Sequence, residues 1–417
     1  MKCRLCASER MLSVLDLGAV PPSDRFLTFD ELDLPETSYP LHLRLCESCL
    51  LLQVPAYVMR DDMAARYPAP AHELSDADAR SFFNRAIGDF ALGSHSSIVQ
   101  IGSRDGYLLR HAVEAGIPCL GIEPSANAGT TARALGVPTV TGYFDEGMAE
   151  DLYQEYGAAD LIVANNMYSH VSDVEGFARA LRTLVADYGR ISIEVDHALH
   201  LVRDRRFDTI DHARLQYYTI LTAMRALASG GLTVFDVEPV DLQGDSIRIW
   251  ARPEEVSAPP GPRVDEILEE ERAAGLHTPE GYRELEAHAR ATRSGLLRFL
   301  LDCQDRELSV IGYGTGCYST VLNYCGIRPD LMSYTVDHDP FRQGCYTSGT
   351  RMPVCGPEQI RKDHPDVVVV LPWGPVREPA DHLQYIDSWG GRLVFPAPAA
   401  RTPSAQPYPG LSGSVME

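Results

Sequence analysis

The chain has 417 residues, more than one domain ordinarily holds at roughly 100–200 residues apiece. Its composition, 45% hydrophobic and 23% charged, is globular and excludes disordered, collagen-like and membrane-spanning classes. Lys+Arg 37 against Asp+Glu 58 leaves a net charge of −21, a field that repels nucleic acid and anionic lipid, so neither is an expected partner.

From the N-terminus, the first signal is a cysteine quartet. Met1-Lys2-Cys3 opens without an apolar signal core, and ten cysteines in a chain of this length are too few for a disulfide scaffold. The expected compartment is therefore the reducing cytoplasm, where clustered cysteine pairs hold metal. Cys3 and Cys6 form one C-x2-C knuckle, and Cys46 and Cys49 form another. Two knuckles supply four thiolates, the closed tetrahedral set of structural Zn2+, and the alternating Leu15-Asp16-Leu17 and Leu41-His42-Leu43 predict short strands between them. Residues 1–70 are predicted to be a zinc ribbon-like module.

Next comes a cofactor cradle. Ser97–Gly102 reads as a buried strand running into the turn Ser103-Arg104-Asp105-Gly106 and a helix, and Pro118–Glu123 as a second strand ending in an acid. This is a βαβ unit of a parallel sheet, with Gly102 and Gly106 allowing close backbone approach and Glu123 able to accept from ribose hydroxyls. A dinucleotide fingerprint is absent, and Asp105 stands where a pyrophosphate would lie. An acid there suits an ammonium group, which points to S-adenosylmethionine. Phe144 is expected to flank the adenine, and Asn165 and Asn166 to close a further strand beside the cofactor.

Titratable groups follow: His170 just past that strand, then His197, and then the run Asp211-His212-Ala213-Arg214. Tyr217, Ser246 and Arg248 are candidate substrate contacts. The Pro-rich stretch 256–262 separates residues 71–255, the predicted methyltransferase-type domain, from a second α/β unit over 256–397. In that unit Gly312-Tyr313-Gly314-Thr315-Gly316 repeats the strand-to-glycine turn and Val336-Asp337 the strand-to-acid ending. Without a full fingerprint it is expected to be a degenerate Rossmann-like copy. Residues 398–417, rich in Pro, Ser and Gly, are expected to be a disordered tail.

In this order, the cysteine knuckles, Ile101–Leu109, Gly121-Ile122-Glu123-Pro124, Phe207-Asp208-Thr209-Ile210, Gly312-Tyr313-Gly314, Asp337-His338-Asp339-Pro340 and Gly390–Val394 resemble the S-adenosylmethionine-dependent deoxysugar C-methyltransferases of antibiotic pathways. The resemblance covers about residues 1–397. It implies a zinc domain, a class I Rossmann-like methyltransferase domain and a second Rossmann-like domain acting on a nucleotide-diphosphate keto-sugar. A proton alpha to the ketone is removed, and the enolate carbon takes the sulfonium methyl. By the same resemblance Tyr67 corresponds to a substrate-site tyrosine and His170 to a site histidine.

The chain departs from the family after Phe207-Asp208-Thr209-Ile210. The family has Tyr-His-Glu-His there; this chain has Asp211-His212-Ala213-Arg214, which keeps one histidine and puts an always-protonated arginine at the base position. Three readings follow. One is a working C-methyltransferase with its base moved to His170, His197 or His212 and with Arg214 gripping an anion. Another is a scaffold turned to ketoreduction, epimerisation or cyclisation without methyl transfer, and the last is a catalytically silent partner subunit. Neither the substrate carbon nor the oligomeric state is legible in the sequence; a monomer is compatible with it.

Overall fold

The computed structural model describes residues 1–57, 76–240, 246–256, 259–373 and 382–396. Tyr67 and the tail at 398–417 lie outside them. By packing, the chain divides into two units built from alternating segments. The first comprises Met1–Met11, Cys46–Ala198 and Leu215–Thr278, and the second Leu12–Leu45, Leu199–Arg214 and Pro279–Glu417.

The N-terminal strands are β1 (Met11–Val20), β2 (Phe26–Leu27), β3 (Tyr39–Cys46) and β4 (Leu52–Gln53). β3 buries alternate residues, Leu41, Leu43 and Leu45 being fully inaccessible, as a half-buried strand requires.

The first unit is organised by β5 (Ile98–Ile101), β6 (Cys119–Glu123), β7 (Thr139–Thr141), β8 (Ala159–Asn165) and β9 (Val185–Asp196). After β10 (Gln216–Tyr217), which pairs antiparallel with β4, come β11 (Leu232–Val240) and β12 (Ser246–Pro253). They form one seven-stranded sheet in the order β11-β12-β9-β8-β5-β6-β7, with β12 antiparallel to both neighbours and the links among β5 to β9 parallel. Order and direction are those of a class I methyltransferase sheet, whose switch point falls between β5 and β8. Ile98, Ile101, Leu161, Ile162 and Val163 are almost wholly buried, the continuous apolar reading of strands covered on both faces. Helices start where the sequence offers caps. Asp145 accepts from the Met148 amide at 2.9 Å and Asp173 from the Gly176 amide at 2.9 Å, each replacing an orphaned backbone bond.

The second unit holds a parallel five-stranded sheet of β13 (Val310–Tyr313), β14 (Thr335–Val336), β16 (Val354–Cys355), β17 (Val367–Val370) and β18 (Arg392–Val394), in the order β16-β14-β13-β17-β18. β15 (Tyr346–Thr347) pairs antiparallel with β2. The expected second Rossmann-like unit is therefore present, with its own switch point between β13 and β17. Among the described residues no helix is long and apolar enough to cross a membrane.

Candidate functional site

The four cysteine sulfurs lie within 4.8 Å of one another. Cys3 Sγ is 3.5 Å from Cys49 Sγ, and Cys6 Sγ is 3.5 Å from Cys46 Sγ. The two knuckles are built alike: the Ala7 amide reaches the Cys3 carbonyl at 3.0 Å and the Leu50 amide the Cys46 carbonyl at 2.9 Å. Both closing residues take left-handed backbone, φ 55° and 65°, at about 1–2 kcal/mol each for a residue with a side chain. The buried Gln53 side chain donates to Cys3 Sγ at 3.3 Å, the outer support a thiolate ligand needs. Hydrogen bonding from Cys49 pulls the Cys3 thiol down to about 4. This donor set fits Zn2+ in a closed structural site.

At the carboxyl edge of β5, three residues of one turn have positive φ: Gly102 (72°), Arg104 (51°) and Gly106 (82°). At φ 72° a residue with a Cβ is strained, and a Cβ on Gly102 would also meet the Met167 thioether, so the turn favours glycine there. Glu123, nearly buried at the end of β6, spends its two oxygens on backbone amides, Arg104 N at 2.8 Å and Ser125 N at 2.8 Å. Each carboxylate oxygen keeps a second lone pair for a ribose hydroxyl. Asp105 accepts from the Tyr107 amide at 3.2 Å, which fixes the turn. Asn165, ending β8, has neither amide oxygen nor amide nitrogen bonded within the protein. Asn166 at φ 56° follows it, and His170 closes the short 3-10 turn Tyr168–His170. Gly102, Asp105, Gly106, Glu123, Asn165, Asn166 and His170 thus gather at the edges of β5, β6 and β8. Orphaned polar atoms in a cradle with no room for a side chain suit an adenosyl cofactor. Sequence reading missed Met167, whose thioether closes on Gly102; its only signal was its place beside the paired asparagines.

Four of the expected site residues are buried against partners within the protein. Phe144 does not flank an open site: it packs edge-on against Phe177 at 5.5 Å within the core. His197 is not turned to a reaction chamber. Its Nε2 lies 2.7 Å from Glu271 Oε1, and Glu271, fully buried, also receives the Ile220 amide that begins the helix Ile220–Ala228. Arg248 is not available to a diphosphate, since its guanidinium is held by Glu238 at 2.9 Å and Glu194 at 3.2 Å, over the Phe82 ring. Tyr217, 1% exposed, lies in the β4–β10 ladder opposite Leu52. Ser246 is a half-buried strand residue opposite Asp196.

The second unit holds its own polar cluster. Arg206 and Asp208 form a buried bidentate pair at 2.9 and 3.1 Å, and Asp208 accepts from the Trp373 amide at 3.2 Å. Asp211 accepts from the Arg214 amide at 2.8 Å and from Arg214 Nη1 at 2.9 Å, which fixes that guanidinium. Burial pushes the Cys317 thiol up to about 12, leaving it unreactive. His212 is 4% exposed, its Nε2 3.1 Å from the Tyr39 carbonyl and its Nδ1 without a hydrogen-bond partner. Desolvation lowers its pKa, so the ring is neutral with an open lone pair.

Comparison with known proteins accounts for this arrangement. Residues 3–63 match a family described as a zinc binding domain, 71–237 one described as a methyltransferase domain, and 241–398 one described as a C-methyltransferase C-terminal domain. The C-methyltransferase NovU of Streptomyces niveus is 27% identical over 411 residues, 97% of each chain. Among solved structures, an S-adenosylmethionine-dependent methyltransferase from Clostridium acetobutylicum is 10% identical, covering 43% of this chain and 92% of its own, with a TM-score of 0.35. Another, from Anabaena variabilis, is 10% identical over 46% and 91%, with a TM-score of 0.37. Zinc-binding, methyltransferase and C-methyltransferase C-terminal matches thus follow one another in that order, and the chain is similar to a C-methyltransferase along its full length.

Proposed function

We propose that the protein methylates a carbon alpha to the ketone of a nucleotide-diphosphate-linked keto-deoxysugar, with His170 taking the alpha proton. The observation that supports the cofactor half is the edge of the seven-stranded sheet, where Glu123 retains lone pairs and the Asn165 amide is unsatisfied. The cofactor supplies an electrophilic methyl on a sulfonium. Around it, Gly102 and Gly106 let the backbone approach, Glu123 accepts from the ribose, and Asp105 faces the ammonium group.

His170 ends the turn four residues beyond Asn166, past the carboxyl end of β8. Its ring would accept the alpha proton, leaving the electron pair shared with the ketone oxygen, and the bound cofactor would supply the methyl group to that carbon. Arg214, which stands at the family's base position, is held by Asp211. It cannot accept the proton, being protonated at any working pH.

The test is incubation with methyl-labelled S-adenosylmethionine and a mixed nucleotide keto-sugar pool, followed by mass spectrometry. The expected product is one methylene heavier than its precursor. Cofactor binding with no label on any keto-sugar, or a product of unchanged mass, overturns the reading. His170→Asn is expected to lower turnover by about 100-fold or more, in the range of a lost general base.

A further inference from the structure

We infer that the first zinc knuckle positions the His170 turn through a short relay, Arg4 to Leu215 to Gln216, and that Gln216 is a positioning residue for the methyl transfer. The inference rests on the reading of His170 as the proton acceptor. It concerns four segments of the first unit only.

The relay starts between the two cysteines of the knuckle. The Arg4 guanidinium donates to the Leu215 carbonyl at 3.0 Å and to the Val54 carbonyl at 2.7 Å, and the Arg4 amide donates to Gln53 Oε1 at 3.2 Å. Gln53 in turn donates to Cys3 Sγ. Gln53 and Gln216 face each other as one rung of the β4–β10 ladder, and both are fully inaccessible. The knuckle therefore grips both strands of this two-residue ladder.

Beyond the ladder, the same segment takes the carbonyls on either side of His170. Gln216 Nε2 donates to Tyr168 O at 2.6 Å and to Val171 O at 2.8 Å, and the Leu215 amide donates to Ser169 O at 2.8 Å. Three of the four carbonyls from residue 168 to 171 are thus tied to residues 215 and 216. A turn this short has few internal bonds to hold its shape, so these ties set the direction of the His170 ring. A second tie runs from the other knuckle, where Arg225 Nη1 donates to the Cys49 carbonyl at 2.8 Å and anchors the helix that follows β10. The Tyr168 ring, fully buried, stacks on Tyr218 at 5.0 Å and 9°, closing the same joint from the apolar side.

A buried amide with both donors on one turn is costly to desolvate unless those bonds form, and it adds no apolar contact a methionine could not supply. Gln216→Met keeps the shape and removes the donors. Arg4→Lys keeps the charge and loses the fork that spans two carbonyls.

The full-length, zinc-loaded chain is labelled at histidine and read by NMR with S-adenosylhomocysteine bound, alongside zinc content and methyl-transfer kinetics on the keto-sugar pool. The expected result for Gln216→Met is a displaced and broadened His170 resonance, unchanged zinc content, S-adenosylhomocysteine affinity within about twofold, and kcat lowered at least about tenfold with KM little changed. Gln216→Asn, which retains the amide on a shorter arm, is expected to recover part of kcat, and Arg4→Lys to show the same pattern as Gln216→Met at smaller amplitude. An unmoved His170 resonance in folded Gln216→Met, or equal losses in cofactor affinity and turnover, overturns the relay. Full turnover in His170→Asn instead sinks the assignment of the base, and the resonance of His170 in Gln216→Met still decides the relay.

Discussion

The chain carries the same chain path twice, and the two copies have met different fates. Each unit has a parallel strand pair whose first strand runs into a glycine turn and whose second leads to an acid: Gly102 to Gly106 with Glu123, and Gly312 to Gly316 with Asp337. In the first copy the acid is held by two backbone amides, which orient it and leave it able to accept more. In the second, Asp337 is taken by the Thr315 hydroxyl and by Arg342 Nη1 at 3.1 Å, and that guanidinium lies 3.2 Å from where a Cβ on Gly316 would be. An acid fixed by amides keeps lone pairs for a ligand, whereas one neutralised by a side-chain cation filling the adjacent turn forms a structural pair. What separates a cofactor site from a relic is the acid's partner, not the glycine spacing.

The largest effect that would sharpen this contrast is expected from glycine replacement. Gly102→Val places a branched side chain at φ 72° against Met167 and is expected to weaken S-adenosylhomocysteine at least about 100-fold by calorimetry, roughly 2.7 kcal/mol. Gly314→Val, equally strained at φ 101° against Pro372, is expected to leave that affinity within about twofold; a parallel loss would break the distinction. Next come the acids. Glu123→Gln is expected to cost about 10- to 100-fold in cofactor affinity, the range of hydrogen bonds to a charged group, while Asp337→Asn leaves it unchanged. Arg342→Met is expected to lower stability by about 1–2 kcal/mol in urea titration, since its partners are only partly desolvated. Gain of adenosine diphosphate ribose binding by that variant would show that one arginine closes the second turn.

The smallest effect concerns acid. His212 has a lowered pKa because burial disfavours its charged form, so the unfolded chain binds its proton first as pH falls. Its contribution is complete above pH 6.5, the ordinary histidine value, and is lost as pH falls from there toward the depressed folded value. His212→Asn is expected to flatten that part of the melting-temperature profile; an unchanged slope would show that other histidines carry it.

Legibility divided along the same physical line. The cysteine quartet, the Gly102 turn and Glu123 were readable because each chemistry is local: ligand spacing, positive φ and a strand end lie within a few residues. The partners of His197 and Arg248 were not legible because they are remote in sequence, Glu271 for one and Glu194 and Glu238 for the other, and no single-chain pattern announces a buried ion pair. Nor was the ring beside Phe144: an aromatic after a strand edge serves a core or a ligand equally well, and nothing local points to Phe177. The role of Gln216 carried no signal at all, since a buried glutamine is recognised only by the carbonyls it meets.

The pairing of β2 with β15 bears on how the protein comes off the ribosome. Close to that pair the Ser348 hydroxyl donates to the carbonyl of Pro22 across 326 residues of sequence. At roughly 5–20 residues per second, the N-terminal strands wait tens of seconds for their partner to be made. During that interval the cysteine quartet, complete by residue 49, can already close on metal, whereas the edge at Phe26–Leu27 cannot be paired by its native neighbour. Closure of the metal site thus precedes the pairing of β2 by most of the time the chain takes to be made.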